Sequence, residues 1–399
     1  MTQCSITDYT CIPQEELQAA TKGKESISIG VPCEDEHEET RTPLTPMAVS
    51  ALSDAGIHIK IQKGAGKCAN YSDMEYSEAG AELCQNKKDV FDCDIVIKVS
   101  AFSLDEIDLM HPRQTVISYL GIAIRTKEYI QKLLSKKVIA IALEYIKSDK
   151  DFFPIIYSHS EIAGRSAVIT AAEYLGRQRG GKGVLLGGVT GITPASVVII
   201  GSGTAALFAA RTADNFGAEV KVFDDSVYNL LRLTQKLGKE IFTSILQPQV
   251  LKKALASADA VIGAKSIKAM PYPVVTEDMI AGMKKGSVIV DLNIETGSCF
   301  ETSRPTSFEK PTFTKCGIIH YCLPNITALV PRTATIAISN IMYPIFLEIC
   351  RNGGVKDEIK HNYGLRNGIY TYMGILTNDY LGKKFKISSK DINLFTGAM

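Results

Sequence analysis

Excess charge of either sign is missing from this 399-residue chain, in which 44 Lys and Arg offset 43 Asp and Glu for a formal net charge of +1. Such a balance gives no electrostatic reason to bind nucleic acid or an anionic membrane. Paired cysteines are missing as well. The ten cysteines are scattered singly, with no CxxC among them, which in a chain of this size indicates reduced, core-filling thiols. No apolar run reaches the ~18–20 residues of a membrane helix. The opening MTQCSITDYTCIPQEELQAATKGKES lacks a charged-then-apolar leader pattern and is expected to be a polar extension over residues 1–25. A cytoplasmic protein is expected, with no nucleic-acid or membrane partner. Neither an internal repeat nor a low-complexity stretch occurs, which sets aside repeat and fibrous architectures.

What is present is ordinary globular material, 45% hydrophobic and 22% charged. Single cores stop growing at about 250–300 residues, so this length implies two domains. From Ser26, short apolar runs alternate with helical segments: SISIGVP (26–32), DIVIKVS (94–100), TVISYL (115–120) and VIAIALEYI (138–146) predict strands. Alternation of this kind predicts a doubly wound α/β sheet. A linking segment (152–181) is expected to turn helical after Ser160. Beyond the glycine-rich stretch 180–196 a second α/β series begins, and residues 156–330 are expected to form a Rossmann domain. TATIAISNIMYPIFLEIC (333–350) predicts a helix, and the last ~45 residues are expected to be helical and to return to the first domain. Cys316, His320 and Cys322 lie close together. However, GIIHYCL (317–323) has the pattern of a buried strand and no second ligand pair accompanies it, so no metal is expected.

The strongest chemical signal is VVIIGSGTAALFAARTADNFGAEVKVFDD (197–225), where Gly201, Gly203 and Ala206 form GxGxxA between a strand and a helix. Gly201 permits the tight turn, Gly203 lets backbone approach a pyrophosphate at the helix N-terminus, and Ala206 keeps helix and strand close. Asp224, 21 residues beyond Gly203, ends the next strand, where a carboxylate accepts bonds from both ribose hydroxyls. With Asp225 behind it, a 2′-phosphate is disfavoured, and NAD is expected over NADP.

Together with IGVPCEDEHEETRTPLTPMAV (29–49), SEIAGRSA (160–167), GGKGVLLGGVTG (180–191), SVIVDLNIETGSCFETSRPT (287–306) and HYCLPNITALVPRTAT (320–335), this segment resembles the alanine dehydrogenase and pyridine nucleotide transhydrogenase family. The likeness is closer to the longer bacterial alanine dehydrogenases. It implies two doubly wound Rossmann-like domains with a cleft between them. A substrate domain (26–155 plus 331–399) would be split by an inserted NAD domain (156–330), in a homo-oligomer that is commonly hexameric in this family. The implied activity is NAD-dependent conversion of L-alanine and water to pyruvate and ammonia, with a small amino-acid or 2-oxo-acid substrate.

Oxidative deamination needs a cation for the carboxylate, a proton-transfer group and a Cα hydrogen facing the nicotinamide. Arg41 matches the family's carboxylate-binding arginine; the competing reading is a surface arginine after the acidic run Glu34–Glu39. Ser160 and Asn325 match nicotinamide-site positions, Glu295 replaces a shorter acid, and His159 stands where methionine is usual. Two positions depart. Ser100 stands in place of a substrate-gripping lysine, leaving Lys98 ~6–7 Å further back on the strand. Gly121 stands in place of the acid–base histidine. Glu295 and His159 are the candidates to replace that function. The departures keep two alternatives open, a dehydrogenase for another amino or imino acid and an NAD(H)-binding protein without catalysis.

Overall fold

Short runs rich in Ile and Val, each bounded by Gly, Pro or polar residues, set the strand positions. In the computed structural model, which describes residues 27–35, 37, 39–148, 150–265 and 273–397, these are β1 (Ser28–Val31), β2 (His58–Gln62), β3 (Glu82–Cys84), β4 (Ile95–Ile97), β5 (Thr115–Ser118) and β6 (Ile139–Ala142). They pair in parallel in the order β3-β2-β1-β4-β5-β6. The extension expected over residues 1–25 lies outside the described residues.

The second series gives β7 (Ser196–Ile200), β8 (Glu219–Asp224), β9 (Phe242–Ile245), β10 (Ala260–Gly263), β11 (Val288–Asp291), β12 (Thr312–Lys315) and β13 (Ile318–Tyr321). Its parallel order is β9-β8-β7-β10-β11-β13, with β12 antiparallel at the edge. Both sheets therefore carry the same doubly wound order. Each reverses direction at one switch point, between β1 and β4 and between β7 and β10, and a crevice opens there beyond the carboxyl ends of the strands. The central strands are buried on both faces, where helices cover them.

Three expectations change. The linking helix spans Pro154–Leu175 rather than starting after Ser160. Pro154 occupies its first turn, where a missing N–H costs nothing and φ is already helical. The C-terminal segment is not wholly helical: β14 (Ile369–Tyr372) and β15 (Ile375–Leu376) form an antiparallel hairpin that joins the first sheet against β6. Their alternation is too short to stand out, and the turn is made by Met373 and by Gly374 at φ +90°. The helix Pro331–Arg351, at 21 residues, is long and apolar enough by composition to cross a membrane, where no apolar run was expected to reach that length. It serves this fold as a core helix. Ile338, Met342, Phe346 and Ile349 enter the first sheet's core, and the hydroxyls of Thr335 and Ser339 accept bonds from the backbone of Thr42 and Thr45.

The helix Pro154–Leu175 packs along the nucleotide-site helix Thr204–Asn215, and the contact is close because Gly164 has no side chain. A β-carbon there would stand 2.2 Å from the Ala205 carbonyl oxygen and 2.9 Å from the Ala209 nitrogen. Both are backbone atoms that cannot rotate away. Gly164→Val is therefore expected to destabilise the protein by about 1–3 kcal/mol or more through overpacking. Urea unfolding followed by circular dichroism measures this, and an unchanged midpoint would show that the two helices part freely.

Candidate active site

The GxGxxA turn lies at the switch point of the second sheet. Gly201 has φ +112°, and a β-carbon on it would stand 2.6 Å from the Ala264 carbonyl oxygen. Glycine is required here twice over, by conformation and by space. Gly203 begins the helix Thr204–Asn215, and a β-carbon on it would meet nothing within 4 Å, so its open side faces the cavity. Ala206 is fully buried under that helix. The cavity, of about 350 Å³, is lined by Gly201, Gly203, Asp224 and Lys265, among others. Asp224 is buried at the end of β8, where it accepts a bond from the Ser226 N–H at 2.9 Å. Lys265 Nζ lies 3.4 Å from Asp224 and 2.7 Å from Asp225. The bond from Lys265 holds Asp225 below the usual carboxylate range. Turn, helix N-terminus and buried acid together fit a dinucleotide.

The acidic run ahead of Arg41 is not a solvated face. Glu39 is only 3% exposed and Arg41 only 6%. Glu39 Oε1 accepts from the Thr40 and Arg41 amides (3.1 and 3.0 Å) and from Arg41 Nε (2.7 Å). Oε2 accepts from Arg41 Nη2 (2.6 Å) and from Asn325 Nδ2 (2.8 Å). Arg41 Nη1 donates to Thr327 Oγ1 at 2.9 Å, and that hydroxyl donates to Asn325 Oδ1 at 2.8 Å. Arg41 and Asn325, 284 positions apart in the sequence, thus share one carboxylate. Asn325 reaches it from a left-handed backbone (φ 57°) just beyond β13. A guanidinium has five N–H donors, so Arg41 keeps two for a substrate.

Beside this cluster the Tyr119 hydroxyl lies 3.4 Å from His159 Nδ1, with the rings edge to face. Burial and the nearby Arg41 push the His159 imidazole down to about 3, so it is neutral at working pH. Its Nε2 is buried without a hydrogen-bond partner. Glu295, on the short turn Ile294–Thr296 after β11, is raised above the ordinary carboxylate range by desolvation, against the opposing pull of Arg41 and Arg125. Gly121, at φ +56°, donates its N–H to the buried Glu144 at 2.9 Å.

At the first sheet's switch point Glu34 is also turned inward. It accepts from Val99 N–H and Ser100 Oγ, both at 2.5 Å. Lys98 is held by both oxygens of Glu106 (2.9 and 3.0 Å), with Glu34 3.8 Å away. Its ammonium is therefore engaged within the fold. The buried acids Glu34 and Glu39 are hidden in a charged run of the sequence, and Tyr119 carries no motif. Elsewhere, both ring nitrogens of His320 are taken, by the Thr302 hydroxyl at 2.7 Å and the Ile318 carbonyl at 3.0 Å, and its ring stacks on Phe313.

Two doubly wound sheets, a dinucleotide turn with its ribose acid, and an arginine shared between the sheets' loops define a nicotinamide-dinucleotide oxidoreductase of two α/β halves. Residues 30–163 match the N-terminal domain and 167–379 the C-terminal domain of the alanine dehydrogenase/PNT family. The chain belongs to that family. It is similar to alanine dehydrogenase 2 of Staphylococcus aureus (strain USA300), 36% identical over 368 residues that cover 92% of this chain and 98% of the relative. Among solved structures it is similar to an L-alanine dehydrogenase, with a TM-score of 0.84, 34% identity, and 90% of this chain and 99% of the other covered. A transhydrogenase from Sinorhizobium meliloti shares the fold, with a TM-score of 0.74 at 22% identity over 88% of this chain and all of the other.

Two predictions follow from this geometry. Asp224→Ala is expected to weaken NADH binding by roughly 1.5–3 kcal/mol, the worth of charge-assisted bonds to the ribose. The unaltered protein is expected to prefer NADH to NADPH, and equal affinities in a fluorescence titration would remove Asp224 from the ribose site. The second concerns Glu34, which burial raises from 4.5 to about 7. Between those values the folded state keeps a proton that the unfolded chain has released, so stability falls as pH rises through the window. The loss reaches about 3 kcal/mol and is complete above the upper value. Glu34→Gln is expected to gain stability relative to the parent at pH 8 and to lose that advantage near pH 5. A stability difference between the two proteins that is the same at pH 5 and pH 8, measured by urea unfolding, would contradict this.

Proposed function

We propose that the protein is an NAD-dependent amino-acid dehydrogenase that converts L-alanine, NAD⁺ and water to pyruvate, ammonia and NADH. The observation that supports the reading is the Glu39–Arg41–Asn325 cluster, in which the Arg41 guanidinium stands beside the loop after β13 and is suited to a substrate carboxylate. Arg41 holds the substrate carboxylate through its two remaining donors. Glu295, whose affinity for protons is raised by burial, takes and returns the proton of the reacting amine or water. His159 enters as a neutral hydrogen-bonding group through Nε2, and Asn325 fixes both Arg41 and the nicotinamide end. Ser160, Gly201, Gly203, Ala206, Asp224 and Asn325 hold the dinucleotide, which when bound accepts a hydride from the substrate Cα.

In this reading residues 26–155 with 331–399 form the substrate domain and 156–330 the NAD domain. The return of β14 and β15 to the first sheet supports that division. A homo-oligomer, hexameric by family likeness, suits the apolar side chains of Leu185, Val189 and Ile192, which are 51–67% exposed on one loop. Buried thiols at Cys84, Cys93, Cys299 and Cys322 suit a cytoplasmic protein. A second reading, a dehydrogenase for another amino or imino acid, is favoured by Ser100, which is engaged with Glu34, and by Gly121, which offers no proton-transfer group.

NADH formation from a panel of L-amino acids tests the assignment. Alanine is expected to react, and Arg41→Ala to abolish turnover while NADH affinity stays within about twofold. A variant that lost NADH affinity to the same degree would show Arg41 to be structural.

A further inference from the structure

An anion entering the cleft needs a cation whose charge is not already balanced. Arg41 is paired with Glu39, and Lys98 with Glu106. Arg125 is different. Its guanidinium lies 5.3 Å from the centre of the Tyr129 ring, and its Nε is buried with no hydrogen-bond partner. Among the described residues no acid stands in ion-pair contact with it. Buried donors of this kind are rarely left without an acceptor, so an unfilled one marks a place for a ligand oxygen.

Its position is built rather than incidental. Arg125 Nη2 lies 3.8 Å from the point a β-carbon on Gly121 would occupy. Glycine at 121 therefore leaves room that the guanidinium borders, at the carboxyl end of β5. The backbone carrying Arg125 is gathered by one ammonium from the helix Asp379–Phe385: Lys384 Nζ donates to the carbonyls of Ile122 and Ala123 at 3.0 Å and of Arg125 at 3.5 Å. The charge of Arg125 is felt at Glu295, which also feels Arg41.

We infer that Arg125 is a second substrate-binding residue, which with Arg41 grips the carboxylate of a small 2-amino or 2-oxo monocarboxylate. The assignment rests on the amino-acid dehydrogenase reading. Arg125 has no ion-pair partner of its own, although Glu144 and Glu295 both feel its charge, and the substrate carboxylate supplies that partner.

Pyruvate binding to the preformed protein–NADH complex tests this, read by NADH emission, which is uncomplicated by tryptophan because the chain has none. Arg125→Ala, and Arg125→Gln which keeps much of the length without the charge, are expected to raise the pyruvate dissociation constant roughly ten- to a hundredfold. NADH affinity should stay within about twofold, and Arg125→Lys should recover part of the loss. Pyruvate affinity unchanged in both neutral variants would overturn the role of Arg125 and leave the dehydrogenase reading standing. No pyruvate binding by the parent complex would overturn both.

Discussion

A carboxylate taken out of water must be met by donors or it will not stay ionised, and Glu39 is met by five from two distant parts of the chain. Desolvating such a group costs several kcal/mol. The cost is offset only while the Thr40 and Arg41 amides, the Arg41 fork and the Asn325 amide all converge on it. The geometry of Arg41 depends on this carboxylate, because a bidentate partner fixes both the plane and the reach of a guanidinium. The loop after β13 depends on it too, since the left-handed Asn325 is held by its side chain. Thr40 adds a bond to the Ala328 carbonyl at 2.6 Å. The cleft is thus locked at one point by an interaction that neither half completes alone.

The twofold use of one strand order explains why the chemistry collects where it does. In each sheet the loops leaving the carboxyl ends diverge at the switch point, so backbone amides and side chains there have no neighbouring strand to pair with. Glu34 and Ser100 occupy that position in the first sheet, and Gly201 and Lys265 in the second. Tyr119, Gly121, Glu295 and Asn325 follow the ends of β5, β11 and β13. The fold places this set by topology, and individual residues decide what it binds.

How much of this could be read from the sequence depended on whether a constraint was local. Gly201, Gly203 and Asp224 were legible because a tight turn, a close backbone approach and an acid at a strand end leave a fixed spacing. The doubly wound class followed from alternation of apolar runs, whereas the strand orders did not. Glu39 was not legible, since a glutamate in CEDEHEETR has the same appearance whether it faces water or Asn325, and only long-range pairing decides. Arg125 was hidden for the same reason: its significance comes from Gly121, Lys384 and Glu295, none of which marks it locally. The hairpin of β14 and β15 was missed because two and four residues of strand are too few to show a period. Pro154 was a readable helix start that the segment's mixed composition obscured.

That hairpin has a consequence for how the chain is made. β6, an all-buried Ile-Ala-Ile-Ala strand, has its outer edge covered only by residues 369–372. On the ribosome those residues emerge more than two hundred positions later, after the entire second sheet. The half built on the second sheet is contiguous and has all its strands before β14 is made, whereas the half built on the first sheet waits with an open apolar edge. Such edges recruit other strands, including those of neighbouring nascent chains. The order of birth is therefore the reverse of the order of completion: the half that begins first is sealed last, and truncation near the C-terminus would expose a surface from the beginning of the chain.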